Sequence, residues 1–348
     1  MSSGRYFEDF SVGETLIHAT PRTLSAGDAA LYQALYGGRH LPQSSQPAAQ
    51  AMGYADRPLP DWLVFHIVFG KSVPDVSRHA MANLGYAEGR FLEPVYAGDT
   101  LSARSEIIGL KENSNGRTGL VMARTTGFNA QGAPVLSYIR WVMVKKRDAA
   151  SPPPDTVWPT PTPHLTAAEL HLPEIDFSRL DTALSGSARR FDDYEIGEKL
   201  SHGGGVTMEE AEHMMATRAY QNTAEVHFDA LAQQQSRFGQ RLIYGGHIIS
   251  HAHAMSFNGL ENMVALAGLN GGGHAAPVFA GDTLYGWSQV LDKAELAGRD
   301  DVGALRVRHI MLKNRDQSGF PGPADRGEGG QNAPEMVLDL DIWGLMPR

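Results

Sequence analysis

The chain is written twice. Residues 5–14 read Arg-Tyr-Phe-Glu-Asp-Phe-Ser-Val-Gly-Glu, and residues 189–198 read Arg-Arg-Phe-Asp-Asp-Tyr-Glu-Ile-Gly-Glu. Phe7, Asp9, Gly13 and Glu14 align with Phe191, Asp193, Gly197 and Glu198 at an offset of 184. Further on, Pro94-Val-Tyr-Ala-Gly-Asp-Thr-Leu101 recurs as Pro277-Val-Phe-Ala-Gly-Asp-Thr-Leu284, identical at seven of eight positions and offset by 183. Two matches in nearly the same register over most of a domain length mean a duplicated module. The 348 residues therefore divide into a module over 1–150, a joint over 151–185 and a second module over 186–348. The joint opens with Ser151 to His164, where six of fourteen residues are proline. Proline lacks the N–H that helices and sheets need, so this stretch predicts an extended spacer, with Trp158 as a surface anchor.

Both modules carry the same order of signals. An early helix is predicted after Ser25–Asp28 in the first copy and after the capping-box spacing Thr207–Glu210 in the second. An apolar stretch long enough for a central helix follows, Trp62–Gly70 and His247–Phe257. After the shared Ala-Gly-Asp turn only strand-like segments remain. These are 102–111, 118–129 and 135–146 in the first copy, and 284–293, 304–314 and 336–345 in the second. One long helix followed by antiparallel strands is an α+β module. Gly268-Leu-Asn-Gly-Gly-Gly273 precedes a turn rather than a helix, so it reads as a loop and not a phosphate cradle. Residues 318–332, rich in glycine and proline, read as a mobile loop before the last strand.

Composition narrows the function. The chain has no cysteine, which excludes thiolate metal sites, iron–sulfur clusters and a cysteine nucleophile. A formal charge of −9 argues against nucleic acid as a partner. The first residues are polar and acidic and the apolar runs are short, so a soluble cytoplasmic protein with no membrane contact is expected.

The repeated turn and the repeated opening Phe-x-Asp-aromatic-x-x-Gly-Glu resemble the MaoC-like branch of the hot-dog fold, once per module. The segments Tyr220-Gln-Asn-Thr-Ala-Glu-Val-His-Phe-Asp229 and Leu242-Ile-Tyr-Gly-Gly-His-Ile248, with the fused length, are similar to the mesaconyl-CoA hydratase (β-methylmalyl-CoA dehydratase) family within it. The resemblance implies a tandem, double hot-dog fold, each curved antiparallel sheet wrapping a central helix. It also implies an acyl-CoA substrate, a hydro-lyase reaction, no cofactor beyond the CoA of the substrate, and a homodimer of fused pseudo-dimers.

The R-specific hydratase pattern in that group is an Asp, four residues, then a His. His227 falls on the His, and Asn222 stands where the pattern has Asp. Asn cannot take a proton but can hold water. Either His227 is the acid/base with Asn222 as orienter, or Glu225 or Asp229 substitutes, although Asp229 suits a helix cap better. Gly245 and Gly246 at the start of the apolar helix would offer free N–H groups to the thioester oxygen. In the first module the same offset lands on Gly38, Gln43 and Asp61, with His40 off register, so one working centre per chain is expected. His247, His251 and His253 lack a third ligand on one face, so no metal is expected. A substrate carboxylate would want an arginine, and Arg218, Arg237 and Arg241 lie near the motif. The rival readings are a hydratase for another enoyl-CoA, an acyl-CoA thioesterase, and a non-catalytic acyl-CoA binder.

Overall fold

The computed structural model describes residues 4–315, 319 and 333–348. The first half runs β1 (Thr15–Thr23), α1 (Ala26–Tyr36), α2 (Leu41–Ser44), α3 (Gln46–Ala51), α4 (Asp61–Ser72), β2 (Ala80–Phe91), β3 (Thr100–Glu112), β4 (Thr118–Phe128) and β5 (Pro134–Lys145). After α5 (Thr182–Ser185), the second half runs β6 (Lys199–Ser201), β7 (Val206–Thr207), α6 (Glu210–Ala219), α7 (Glu225–Phe228), α8 (Ala230–Gln233), α9 (Gly245–Ser256), β8 (Ala265–His274), β9 (Thr283–Leu296), β10 (Arg299–Lys313) and β11 (Met336–Pro347). The strands form one antiparallel sheet in the order β1-β3-β4-β5-β2-β8-β11-β10-β9-β6, with β7 also on β9. The halves meet at β2 and β8, where Tyr86 pairs with Gly272 and Gly89 with Leu269. This is the double hot-dog arrangement expected from the resemblance, with α4 and α9 as the two wrapped helices.

The repeat is repeated in three dimensions. The opening motif makes a 3-10 turn at Phe7–Asp9 and again at Phe191–Asp193. Each is clamped by an ion pair, Arg5–Glu14 and Arg189–Glu198. In the shared turn Gly98 and Gly281 take φ of +105° and +92°, which glycine adopts without a Cβ clash. The aspartate beside each glycine accepts a backbone N–H, Asp99 from Tyr96 and Asp282 from Phe279. Residues Trp62 to Ser72 of α4 are all buried. A helix apolar on every side belongs inside a core.

Three expectations change. The glycine-rich segment at 268–273 is not a loop but the seam strand β8. Its glycines permit close strand approach. A Cβ on Gly272 would lie 2.0 Å from the Asp339 carbonyl oxygen, and its φ is +109°. Ser25 does form a capping box with Asp28, but Thr207 does not cap α6. Thr207 ends β7, its hydroxyl 2.9 Å from that of Thr283, and Glu209 takes the cap position. The spacer is extended only at first. Val157 pairs with Leu110, and Trp158 packs against the cluster of Ala87, Met122 and Ile139. From Leu165 onward, Leu170, Ile175, Phe177 and Leu180 are buried between Met52 and Tyr54 of the first half and Val302 and Trp343 of the second. The strap thus joins the modules through a shared apolar cluster. The stretch 318–332 lies outside the described residues, apart from Gly319.

Candidate active site

A cavity of about 310 Å³ opens where the two modules meet. The second module supplies Asn222, His227, Tyr244, Gly245 and His274, and the first supplies Phe69, Tyr86 and Arg140. Local chain geometry delivers the motif. At the end of α6, Gln221 takes φ +57° and turns the backbone. The buried Asn222 then accepts the Ala224 N–H through Oδ1 at 3.0 Å, starting the single turn α7 that carries His227. Because a backbone N–H needs an acceptor, this bond fixes the amide: oxygen toward Ala224, Nδ2 on the cavity side.

His227 Nδ1 lies 2.9 Å from the Leu242 carbonyl oxygen. A carbonyl only accepts, so Nδ1 carries the proton and Nε2 keeps its lone pair for the cavity. Burial pushes the His227 pKa down to about 4, with a nearby His213 adding to the shift. His213 also holds the site together. Its Nε2 donates to the His227 carbonyl at 3.3 Å, and its Nδ1 accepts the Tyr244 N–H at 3.2 Å. One imidazole therefore ties α6 to both the histidine turn and the start of α9.

Gly245 is the first residue of α9, and no side chain caps that helix. Its N-terminal N–H groups, at the positive end of the helix dipole, are available to a developing oxyanion. A Cβ on Gly245 would stand 2.3 Å from His274 Nε2, so a larger residue would have to displace that ring. The two predicted glycines part here. Gly246 does not line the cavity but faces the interior, where a Cβ would meet Tyr244 and His66.

The auxiliary acids are not brought to the site. Glu225 is exposed on α7, and Asp229 is exposed and caps α8 by accepting the Ala232 N–H. Neither lines the cavity. Arg241 is occupied by Glu210 and the Phe228 carbonyl, and Arg218 is exposed on α6. Arg237 is exposed at the cavity mouth and stacks on Phe238. Sequence reasoning passed over His274, hidden in the glycine-rich segment, and Arg140. Arg140 had a legible signal: in Tyr138-Ile-Arg-Trp-Val142 it holds the inward phase of an alternating strand.

The corresponding place in the first module is nearly filled. A cavity of about 40 Å³ is lined by Gly38, His40, Gln43 and Asp61. Gln43 donates to the Val264 carbonyl, and His40 stacks on His253 at 4.5 Å. Asp61, where Gly245 stands in the other copy, accepts the Leu266 N–H, and burial raises its pKa to about 7. His247 and His251 bond to each other at 3.3 Å. Among the described residues no group of three or more His, Asp or Glu side chains is placed to hold a metal ion.

The sequence pattern of the mesaconyl-CoA hydratase family matches residues 1–325. The chain is 53% identical over 348 residues to a mesaconyl-CoA hydratase of Cereibacter sphaeroides, covering 100% of this chain and 99% of the relative. It is 51% identical over 346 residues to a β-methylmalyl-CoA dehydratase of Chloroflexus aurantiacus, covering 99% and 97%. A crystal structure of a putative MaoC domain dehydratase from Chloroflexus aurantiacus superposes with a TM-score of 0.97 at 50% identity, covering 100% and 99%.

Proposed function

Because the chain belongs to the mesaconyl-CoA hydratase family, we propose that His227 catalyses its reaction, the reversible dehydration of β-methylmalyl-CoA to mesaconyl-CoA, in the cavity at the seam. The chain is a hydro-lyase of MaoC-like type. One observation carries the assignment of the site: a neutral imidazole with its Nδ1 held by Leu242 shares a cavity with the uncapped N-terminus of α9 at Gly245.

In the dehydration direction His227 Nε2 takes the proton from the carbon next to the thioester. The electron pair moves toward the thioester oxygen, which the Gly245 N–H and the helix dipole stabilise. Expulsion of the β-hydroxyl forms the double bond, and the protonated His227 returns its proton to the departing oxygen, completing water. Asn222 Nδ2 donates to that oxygen. Hydration is the reverse, with His227 deprotonating an Asn222-held water. The bonds broken are C–H and C–O, with no net redox change, so the steps call for no cofactor beyond the CoA of the substrate. Arg237, exposed beside the cavity, would meet the CoA phosphates. No helix among the described residues is long and apolar enough to cross a membrane. A cytoplasmic location and a homodimer of fused chains belong to the same reading, and light scattering on the purified chain tests the latter.

The test is turnover of mesaconyl-CoA by the purified protein, followed by loss of the enoyl-thioester absorbance. His227→Ala should lower kcat by about 10²–10⁴-fold with an unchanged melting temperature. Unimpaired turnover by that variant would remove His227 from the mechanism. Release of free CoA in place of hydration would favour a thioesterase.

A further inference from the structure

Arg140 is 0% exposed, yet it lines the cavity. It lies on β5 between the inward-facing Tyr138 and Val142. Its Nη1 and Nη2 donate to Ser77 Oγ at 3.2 Å, and Nη2 also donates to Ser72 Oγ at 2.8 Å. The guanidinium sits over the Phe69 ring, 4.3 Å from its centroid. Its Nε–H is buried without a partner.

Among the described residues no carboxylate pairs with this cation. The contrast with the half-buried arginines of β10 is direct, since Arg306 holds Asp341 and Arg308 holds Asp339. Serine hydroxyls and a ring face solvate a guanidinium but do not neutralise it. A buried cation with no counter-charge costs several kcal/mol. The fold itself does not require it. Tyr86 pairs with Arg140 in the first copy, and its counterpart Leu269 pairs with Ile342 in the second. Ile342 therefore fills the equivalent position, fully buried.

We propose that Arg140 determines acyl specificity by binding the free carboxylate at the far end of a dicarboxylic acyl-CoA. This deepens the functional reading above and rests on it. The Phe69 ring beneath the guanidinium lies 6.1 Å from the Tyr244 ring, and Tyr244 lies 5.5 Å from the His227 ring. Arg140 and His227 thus line one cavity from the two modules, linked along its wall by the Phe69 and Tyr244 rings. That suits an acyl chain with two polar ends and an apolar middle. The incoming carboxylate supplies the missing counter-charge. A monocarboxylic acyl-CoA would leave the cation unpaired, and sites with buried polar groups discriminate strongly against such analogues.

The experiment compares succinyl-CoA with butyryl-CoA, saturated thioesters that differ in the terminal carboxylate and cannot be hydrated. Their Kd values are measured by calorimetry on the wild-type protein and on Arg140→Gln, Arg140→Ile and Arg140→Lys, alongside kcat and KM for mesaconyl-CoA. The wild type should prefer succinyl-CoA by at least about tenfold. Gln and Ile should abolish the preference while leaving the butyryl-CoA Kd within about threefold, and Lys should keep part of it. They should lower kcat/KM for mesaconyl-CoA by about 10²-fold or more. A wild type without preference overturns the proposal even if every variant misfolds. Equal losses for both thioesters in folded variants also overturn it, because they indicate a structural role. A wild type that prefers succinyl-CoA but does not hydrate mesaconyl-CoA upholds the carboxylate site and overturns the functional reading instead.

Discussion

Tyr36 and Tyr220 occupy the same place in the two copies, 184 positions apart, and Tyr220 donates its hydroxyl proton to the Tyr36 oxygen at 2.9 Å. They mark the pseudo-two-fold axis, as do His66 Nε2 and Ser250 Oγ, again 184 apart and 2.9 Å from each other. Yet the surroundings of the pair break the symmetry, since His247 and His251 stand where the first copy has Leu63 and Ile67. Tyr36 Oη also lies 3.0 Å from His247 Nδ1. His247 Nε2 in turn lies 3.3 Å from His251 Nε2, one of the two nitrogens supplying the hydrogen. The hydrogen-bonded chain crosses the axis to α9. It begins at Tyr220, two residues before Asn222, so the motif of the second copy is anchored in the interior.

The pH profile should report the buried state of His227. Its pKa is pushed down from 6.5 to about 4, so the base form persists through mildly acidic solution. In the hydration direction kcat/KM should stay level from about pH 8 to 5.5 and fall as pH drops through about 4. Stability moves over a wider window. His202, His213, His251, His253 and His274 are also pushed to about 4 by burial. Below pH 6.5 the unfolded chain takes up protons that the fold refuses, so stability falls steadily from about 6.5 toward 4. Brief pH jumps separate the two effects. An activity inflection near 6.5 in still-folded protein would contradict a buried, neutral base.

Asn222→Asp should keep the Oδ1 bond to Ala224 but replace the cavity-facing N–H donor by an anion. The expected result is a loss in kcat of about 10²-fold with little change in melting temperature. Asn222→Ala should lose the Ala224 partner as well and be less stable by about 1 kcal/mol or more, with a lower melting temperature. Equal or higher activity for the Asp variant would mean that position 222 serves as a base, not as a donor.

The two glycines at the start of α9 should behave differently. Gly245→Ala drives a Cβ to 2.3 Å from His274 Nε2, at the flexible end of a side chain. It should fold and lose about 10²-fold in kcat as the oxyanion position closes. Gly246→Ala places its Cβ 2.4 Å from the Tyr244 ring and 2.7 Å from His66. Its first consequence should be a lower melting temperature. Steady-state kinetics and thermal melts on both variants decide the matter, and identical profiles would contradict the split assigned here.

Asp61 offers a control in the silent copy. Its pKa is raised from 3.8 to about 7 by burial. Between those values the unfolded chain gives up a proton that the fold retains, so this group costs stability as pH rises from 3.8 through about 7. Asn in its place can still accept the Leu266 N–H. Asp61→Asn should therefore raise the melting temperature more at pH 8 than at pH 5, with kcat within about twofold of wild type. A pH-independent gain, or a loss of activity, would count against the assignment.

Periodicity and repetition made much of the fold legible. The central helices needed only the apolar runs from Trp62 and His247, and the strands after each Ala-Gly-Asp turn needed only their order. The seam strand β8 was hidden because its glycines have little strand propensity. They are there for close backbone approach across β2, which no local pattern encodes. At the site, the spacing of Asn222 and His227 was readable because one turn carries both. Gly246 was paired with Gly245 because both open the helix, but only Gly245 lines the cavity. Arg140 and Phe69 belong to the other module, about 90 to 160 positions away in sequence, and the packing of the modules through β2 on β8 and α4 on α9 brings them near His227.

The non-equivalence of Arg140 and Ile342 shows what fusing the two copies makes available. In a symmetric dimer every substitution is written twice, so a charge placed in one pocket is buried in the other as well. In the tethered pair, held by the strap through Leu165, Leu170 and Phe177, each position is written once. One half can then be tuned as a wall that reads the substrate and the other as the half that transforms it, with neither tuning imposed on the opposite pocket.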